Sequence, residues 1–198
     1  MCHLRETAPS IRIELQRIGP DTPKLLESGD LDLAIGFMSP MGAGYCHQRL
    51  FNERFVCATR SVHPRIGETL SLEEFEAENH LSITTLGTGH GVVERILELK
   101  RVQRRVALEV PSFLGIAPLM EANDYLLILP EQLAQHLTAS GTIKVFPLPF
   151  AMPSYPVMQH WHERYSQDAS SRWLRNVMAN LFLTSEQSPQ RLKVFAQG

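Results

Sequence analysis

The apolar residues of this chain fall into short alternating runs and into longer stretches with helical spacing, and Gly or Pro separates most of them. Strands are predicted at residues 11–15, 31–36, 49–51, 54–58, 81–85, 105–110, 125–129, 143–147 and 157–162. Helices are predicted at residues 4–7, 22–28, 71–75, 91–101, 113–122 and 131–138, with a last helix after Asp168. This alternation of strands and helices predicts an α/β fold.

Residues beside the predicted helices support these boundaries. Gly29 follows helix 22–28 and is the residue expected where a helix ends in the left-handed conformation. Ser71 and Glu74 have the spacing of a capping box. Asp168 is a suitable N-cap for the last helix.

The composition is that of an ordinary globular protein with a substantial core. The chain has 198 residues, of which 43% are hydrophobic. Nineteen Lys and Arg against 21 Asp and Glu give a net charge of -2, and the basic residues are scattered along the sequence. Because no basic face is evident, we do not expect this chain alone to bind DNA strongly.

The cysteines and the first residues indicate a cytoplasmic location. Cys2, Cys46 and Cys57 are odd in number and form no C-x-x-C motif, which argues against a disulfide framework or structural zinc. Residues 1–6 carry charges where a signal peptide needs an apolar run. No stretch approaches the roughly 20 apolar residues of a membrane span, so no membrane contact is expected.

Two motifs resemble the effector-binding domain of LysR-type transcriptional regulators. Residues 26–36 match the pattern L-x-x-G-x-L-D-L-A-I-G. Residues 161–175 match W-H-x-x-Y-x-x-D-x-x-x-x-W-L-R, which resembles the ending of the subgroup that senses aromatic acids and nitroaromatics and includes the nodulation regulators. The resemblance covers nearly all of residues 1–183.

The resemblance implies two Rossmann-like lobes joined by two crossover strands, as in periplasmic binding proteins. Lobe one is expected at residues 1–83 plus 157–185, lobe two at 84–156, and a C-terminal tail at 186–198. The family's domain normally begins with one more strand, preceded by a linker helix and a winged helix-turn-helix. All three are missing from this sequence.

The resemblance also implies a function. A small aromatic carboxylate or nitroaromatic inducer is expected in the cleft between the lobes, with no cofactor and no catalysis. Homodimers or homotetramers are expected, DNA is contacted only through the absent winged helix-turn-helix, and RNA polymerase is a further expected partner. A solute-binding protein of a transport system shares this architecture and is the alternative, and an α/β enzyme ranks third.

The run Gly87-Thr88-Gly89-His90-Gly91 precedes a helix, so its N–H groups are suited to an anion. Regulators responsive to salicylate and nitroaromatics carry a similar run at the inducer pocket, and the resemblance implies that His90 contacts the ligand beside Gly89. A histidine that only caps the helix is the alternative. A dinucleotide site is not expected, because its fingerprint needs glycine where Val92 stands.

Two further pocket positions differ from the aromatic-sensing relatives, which carry histidine where this chain has Arg54 and arginine where it has Gln132. Arg54 could bind a carboxylate with both guanidinium nitrogens, while Gln132 offers a neutral donor and acceptor. Arg54 could instead be a surface residue paired with Glu53 or another acid.

Residues at the carboxyl ends of strands are the remaining candidates, because open α/β sheets place ligands there. Phe37 and Phe113 could stack on an aromatic ring, although core packing is the commoner role of Phe. Thr85 and Ser112 are candidate hydroxyl partners.

Metal binding and catalysis find little support in the sequence. His160 and His162 share one face of a predicted strand, a spacing that a metal could use, but no third ligand is evident. We interpret them as structural residues beside Trp161. No G-x-S-x-G motif and no readable cysteine nucleophile is present.

Overall fold

A computed structural model describes residues 2–84 and 87–186 of the chain. The helices are α1 (Cys2–Thr7), α2 (Thr22–Ser28), α3 (Leu72–Ala77), α4 (His90–Lys100), α5 (Ile116–Ala122), α6 (Glu131–Leu137) and α7 (Ala169–Glu186). The strands are β1 (Ala34–Gly36), β2 (Tyr45–Glu53), β3 (Phe55–Arg60), β4 (Asn79–Ile83), β5 (Arg105–Val110), β6 (Leu126–Pro130), β7 (Ile143–Phe146) and β8 (Tyr155–His162).

These strands form two sheets, and each sheet is the centre of one lobe. The first has three antiparallel strands in the order β1-β8-β2, and the second has five strands in the order β5-β4-β6-β3-β7. In the second sheet β4 runs parallel to β5 and β6, whereas β3 runs antiparallel to β6 and β7. The predicted two-lobed α/β fold is confirmed.

The five-stranded sheet is covered by helices on both faces. Alternate residues of β3 point to opposite sides, so Phe55 and Cys57 join one apolar cluster and Val56 and Ala58 join another. Residues of α3 and α4 complete the first cluster, and residues of α5 and α6 complete the second. In the other lobe, α7 packs on β2, where the rings of Phe182 and Phe51 stack at 5.2 Å.

The strands are divided between the sheets differently from the predicted lobe boundaries. Residues 55–83 supply β3 and β4 to the five-stranded sheet, although the prediction grouped them with residues 1–53. The chain crosses between sheets at Arg54, directly after β2, and returns through residues 147–154 before β8. Because β2 and β3 are separated by a single residue, the hydrophobic pattern alone did not reveal this crossing.

The predicted strand at residues 11–15 is wrong, because this segment joins neither sheet and forms no regular element. Its alternating side chains line a groove of about 310 Å³ together with Leu33 of the segment before β1 and Trp173 of α7. A strand needs a neighbour for its N–H and C=O groups, and β1 pairs only with β8 in the described chain.

The predicted capping residues are confirmed at three helices. Gly29 adopts the left-handed conformation with φ of 86°. Ser71 and Glu74 form both hydrogen bonds of the capping box. Asp168 accepts the backbone N–H of Ser171 at the start of α7. Within residues 2–84 and 87–186, no helix is both long and apolar enough to cross a bilayer.

Candidate functional site

A series of aromatic rings connects the two lobes where the crossover segments pass. The Phe37 ring lies edge-on to Tyr155 at 5.6 Å, and Tyr155 stacks on Phe55 at 4.8 Å. The Phe55 ring contacts His90 at 5.2 Å, and His90 contacts Phe113 at 5.6 Å. These rings come from the residue after β1, from β8, β3 and α4, and from the segment after β5, so aromatic contacts run from one lobe to the other. Tyr155, Phe55 and His90 are buried within the series.

Glycines allow the lobes to approach each other closely beside these rings. The amide of Phe37 donates to the carbonyl of Gly87 over 2.8 Å. A Cβ atom on Gly36 would lie 2.6 Å from the same carbonyl, and a Cβ atom on Gly87 would lie 2.6 Å from the Ile18 side chain. Gly89 has φ of 78°, and a Cβ atom there would meet the Tyr155 ring at 2.9 Å. The glycines of the sequence run 87–91 therefore permit close contact between the lobes.

His90 is buried at the first position of α4, and its ring is hydrogen-bonded within the protein. Nε2 lies 3.1 Å from the carbonyl of Ile128 and must donate to it, because a carbonyl only accepts. Nδ1 lies 2.8 Å from the Thr88 hydroxyl and, in the neutral ring, accepts from it. Burial lowers the pKa of His90, which favours this neutral form. The N-cap of α4 is Gly89, so His90 occupies the first helical position and not the capping position.

Glu53, which the sequence analysis did not select, is a buried carboxylate at the crossing from β2 to β3. It accepts the backbone N–H of Arg54 at 2.9 Å and further backbone N–H groups of Glu131 and Gln132 at the start of α6. Burial raises the pKa of Glu53 despite these hydrogen bonds. Tyr155 is also buried, and burial together with the nearby Glu53 raises the pKa of its hydroxyl.

A signal for Glu53 was available in the sequence. Its carboxylate stands between the apolar strand residues Phe51 and Phe55, where an acid is buried only with partners. Tyr155 has no comparable signal, since its neighbours at the cleft lie about 100 positions away in sequence.

Arg54 lies at the crossing from β2 to β3, and Gln132 lies at the start of α6. The guanidinium of Arg54 forms a two-pronged ion pair with Glu131, and the Arg54 side chain remains 67% exposed. Of the two predicted roles of Arg54, this contact agrees with the surface ion pair, and the acid is Glu131 and not Glu53. Gln132 is exposed, and its backbone N–H is directed to Glu53.

Of the remaining predicted residues, Ser112 and Phe113 lie on lobe two. Ser112 accepts the backbone N–H of Leu114 at 3.3 Å, and Phe113 packs partly into the apolar core. Thr85 lies outside the described residues. A cavity of about 340 Å³ opens beside Phe37 and Gly87, and residues of the segments 18–23 and 38–41 complete its lining.

The described part of the chain contains no cluster of three or more side chains suited to a resident metal. No group of three or more His, Cys, Asp or Glu side chains converges there. His160 and His162 lie apart from the cleft: the His162 ring contacts Tyr45, and His160 lies opposite His47. The aromatic lining, the helix N-terminus and the hinged lobes together define a binding domain for a small molecule.

Comparison with known proteins identifies the family. The model of the LysR substrate binding domain matches residues 2–182, and the chain belongs to this family. It is 33% identical over 182 residues to the HTH-type transcriptional activator NagR of Ralstonia sp, covering 90% of this chain and 60% of NagR. It is 32% identical over 157 residues to the HTH-type transcriptional activator NahR of Pseudomonas putida, covering 79% of this chain and 52% of NahR.

Solved structures agree with this assignment. The regulatory domain of the transcriptional activator MexT from Pseudomonas aeruginosa superimposes with a TM-score of 0.79 at 25% identity, covering 91% of this chain and 89% of that domain. The probable transcriptional regulator PA0477 from the same organism gives a TM-score of 0.79 at 27% identity, covering 91% of this chain and 61% of that protein. The chain therefore spans most of the MexT regulatory domain, but only 60% of the length of NagR and 52% of the length of NahR.

Proposed function

We propose that this domain senses a small aromatic carboxylate or nitroaromatic for a transcriptional regulator, and that the effector binds between the lobes. The observation that carries the proposal is the aromatic series from Phe37 to Phe113, which crosses the cleft beside the N-terminus of α4. Proteins related to this chain are named as transcriptional activators, which favours a regulator over a transport protein or an enzyme.

The polar group of the effector is assigned to the N-terminus of α4. The first backbone N–H groups of this 11-residue helix, at Gly89 and His90, are suited to an anion because the helix dipole is positive there. Contact through the His90 ring would require it to give up Thr88 or Ile128, so the backbone is the better donor.

The aromatic part of the effector is assigned to the cleft beside Phe37 or Phe113, because the rings of Tyr155, Phe55 and His90 fill the space between these two residues. Ser112 and Thr85 are proposed as hydroxyl partners, and Arg54 and Gln132 as polar residues at the rim. Because Arg54 is mostly exposed, exchanging Glu131 for a ligand carboxylate requires little desolvation.

Closure of the lobes is the proposed signal. An effector shifts the balance of open and closed arrangements only by the difference in its affinity for them, and a 5- to 150-fold difference corresponds to about 1–3 kcal/mol. We propose that closure alters the packing of a homodimer or homotetramer in the cytoplasm. DNA would be contacted by a helix-turn-helix outside these 198 residues, and RNA polymerase would be a further partner.

Calorimetric titration with benzoates, salicylates and nitrotoluenes tests this proposal. We expect at least one of these compounds to bind, and Phe113→Ala to weaken its binding by roughly 2- to 10-fold, the value of one aromatic contact. Leu114→Ala is the matched control, because Leu114 lies in the same segment and is 90% exposed. Absence of binding across the panel would reject the aromatic effector but not the fold. Equal affinities of the two variants with unchanged melting would reject Phe113 as a contact of the effector ring.

A further inference from the structure

A pair of histidines lies outside the effector cleft, on neighbouring strands of the three-stranded sheet. His47 of β2 and His160 of β8 are directly opposite each other in the ladder, so their side chains share one face. Their ring centroids are 6.0 Å apart, and the rings are tilted by 47°. His47 is exposed, whereas His160 is 5% exposed, so the pair connects solvent with the edge of the core.

One nitrogen of the His160 ring is hydrogen-bonded, and the other has no hydrogen-bond partner among the described residues. The backbone carbonyl of Gly36 accepts a hydrogen bond from this ring. Among the described residues, Nε2 of His160 is buried and has no hydrogen-bond partner. The donor to Gly36 is therefore Nδ1, and in the neutral ring Nε2 carries a lone pair that no donor among the described residues uses.

This arrangement matches the way in which proteins prepare a histidine for a metal. Metal-binding histidines usually donate their second nitrogen to a carbonyl or carboxylate, which fixes the tautomer and orients the ring. The unused buried lone pair would otherwise cost the protein free energy, because a buried polar atom without a partner is destabilising.

The spacing of the two rings fits a shared metal ion. A metal about 2.0–2.1 Å from one nitrogen of each ring places the ring centroids about 5–6 Å apart. Side chains on a β ladder need little adjustment to meet this spacing, since the backbone already fixes the two Cβ atoms.

We propose that His47 and His160 form a two-histidine site for a divalent transition metal such as Zn²⁺ or Ni²⁺, with water in the remaining positions. Imidazole nitrogen suits these ions, whereas Mg²⁺ and Ca²⁺ prefer oxygen. The site joins β2 to β8, and through the Gly36 carbonyl it reaches β1 beside Phe37. Metal binding thereby stabilises the lobe-one side of the cleft, independently of which effector the cleft holds.

Calorimetry and NMR of the 198-residue chain with Zn²⁺ test the site. We expect one ion to bind, the His47 and His160 ring resonances to shift, and the melting temperature to rise. His47→Gln should weaken binding by about tenfold or more, as loss of a ligand costs at least what loss of its supporting partner costs. Because His47 is exposed, this variant tests the site even if His160→Gln proves unstable.

His162→Gln is the matched control, because His162 lies on the same face of β8 but contacts Tyr45 and the N–H of Arg164 instead. It should keep the affinity of the unsubstituted protein for Zn²⁺. Unchanged affinity of His47→Gln, or no binding by the unsubstituted protein, would overturn the proposal. Neither result bears on effector binding, which is measured separately.

Discussion

The amide of Phe37 and the carbonyl of Gly87 are joined by a 2.8 Å hydrogen bond that links the two lobes directly. Phe37 follows β1 in the three-stranded sheet, whereas Gly87 precedes α4 on the other lobe. The bond is possible because Gly36 leaves no side chain between the two backbones. It forms beside the proposed effector position, so effector binding and lobe contact depend on the same few atoms.

Substitution of Gly36 by Ala should push the lobes apart. The new Cβ atom would lie 2.6 Å from the Gly87 carbonyl and 2.8 Å from Ile18. We expect a loss of about 1–3 kcal/mol in the free energy of unfolding, as for overpacked sites, and a larger radius of gyration in X-ray scattering. Gly91→Ala is the control, since a Cβ atom there has open space. Equal stability and scattering of both variants would mean that the lobes are not held in contact here.

Substitution of His90 by Ala should lower the stability of the fold, whether or not it changes the affinity for the effector. Its ring is buried and bonded to Ile128 and Thr88, and removal leaves the Ile128 carbonyl without that donor. We expect a loss of about 1–3 kcal/mol by chemical denaturation. The exposed His136→Ala should lose much less. A His90 variant as stable as the unsubstituted protein would show that the ring is free for a ligand.

Acid should destabilise the protein through His80. Burial lowers the pKa of this fully buried ring from 6.5 to about 4, while Nε2 donates to the Phe75 carbonyl at 2.7 Å. Below pH 6.5 the unfolded chain binds a proton that the folded ring does not, so stability is lost as the pH falls towards 4. A shift of this size corresponds to about 3 kcal/mol.

The measurement is the free energy of unfolding of His80→Gln and of the unsubstituted protein between pH 7 and pH 4. The difference in unfolding free energy between the unsubstituted protein and His80→Gln should fall by about 3 kcal/mol from pH 7 to pH 4, because histidine at position 80 titrates and glutamine does not. His136→Gln, at an exposed position, should show no such change. A constant difference between His80→Gln and the unsubstituted protein would contradict the assignment.

Glu53 should have the opposite pH dependence from an ordinary paired acid. Its raised pKa means that the folded protein holds a proton above 4.5, where the unfolded chain has lost it. Stability is therefore lost as the pH rises above 4.5, and Glu53→Gln should gain relative to the unsubstituted protein over this range. The exposed Glu68, whose pKa is lowered mainly by the hydrogen bond from Lys144, should show a small effect of the other sign. If the stability of Glu53→Gln instead falls relative to the unsubstituted protein as the pH rises, the three backbone N–H donors lower the pKa of Glu53 by more than burial raises it.

The sequence predicted those elements whose pattern is complete within a short segment. Strand 105–110 was predicted at its observed bounds, and α4 was predicted within one residue. The alternating pattern of residues 11–15 led to a wrong strand prediction, because a strand also needs a neighbour in the sheet. The boundary between the lobes at Arg54 was not predicted for a related reason. β2 and β3 pair with strands of different sheets, and their hydrophobic patterns do not reveal this difference.

The candidate site was predictable only in part. Phe37, Gly89, His90 and Phe113 were selected and lie in or beside one series of contacting rings, since strand ends and glycine-rich turns have local signals. The internal hydrogen bonds of the His90 ring depend on Ile128, 38 positions away, and could not be read from local spacing. Their roles towards an effector stay predictions.

The strand order β1-β8-β2 has a consequence for how the chain folds during synthesis. The central strand of this sheet is the last to leave the ribosome, so β1 and β2 cannot pair with anything until residue 162 has emerged. The five-stranded sheet draws on one continuous stretch, residues 55–146, and can form earlier. Since pairing across a long loop is slow, completion of the smaller lobe is the step at which a nascent chain waits with exposed strand edges.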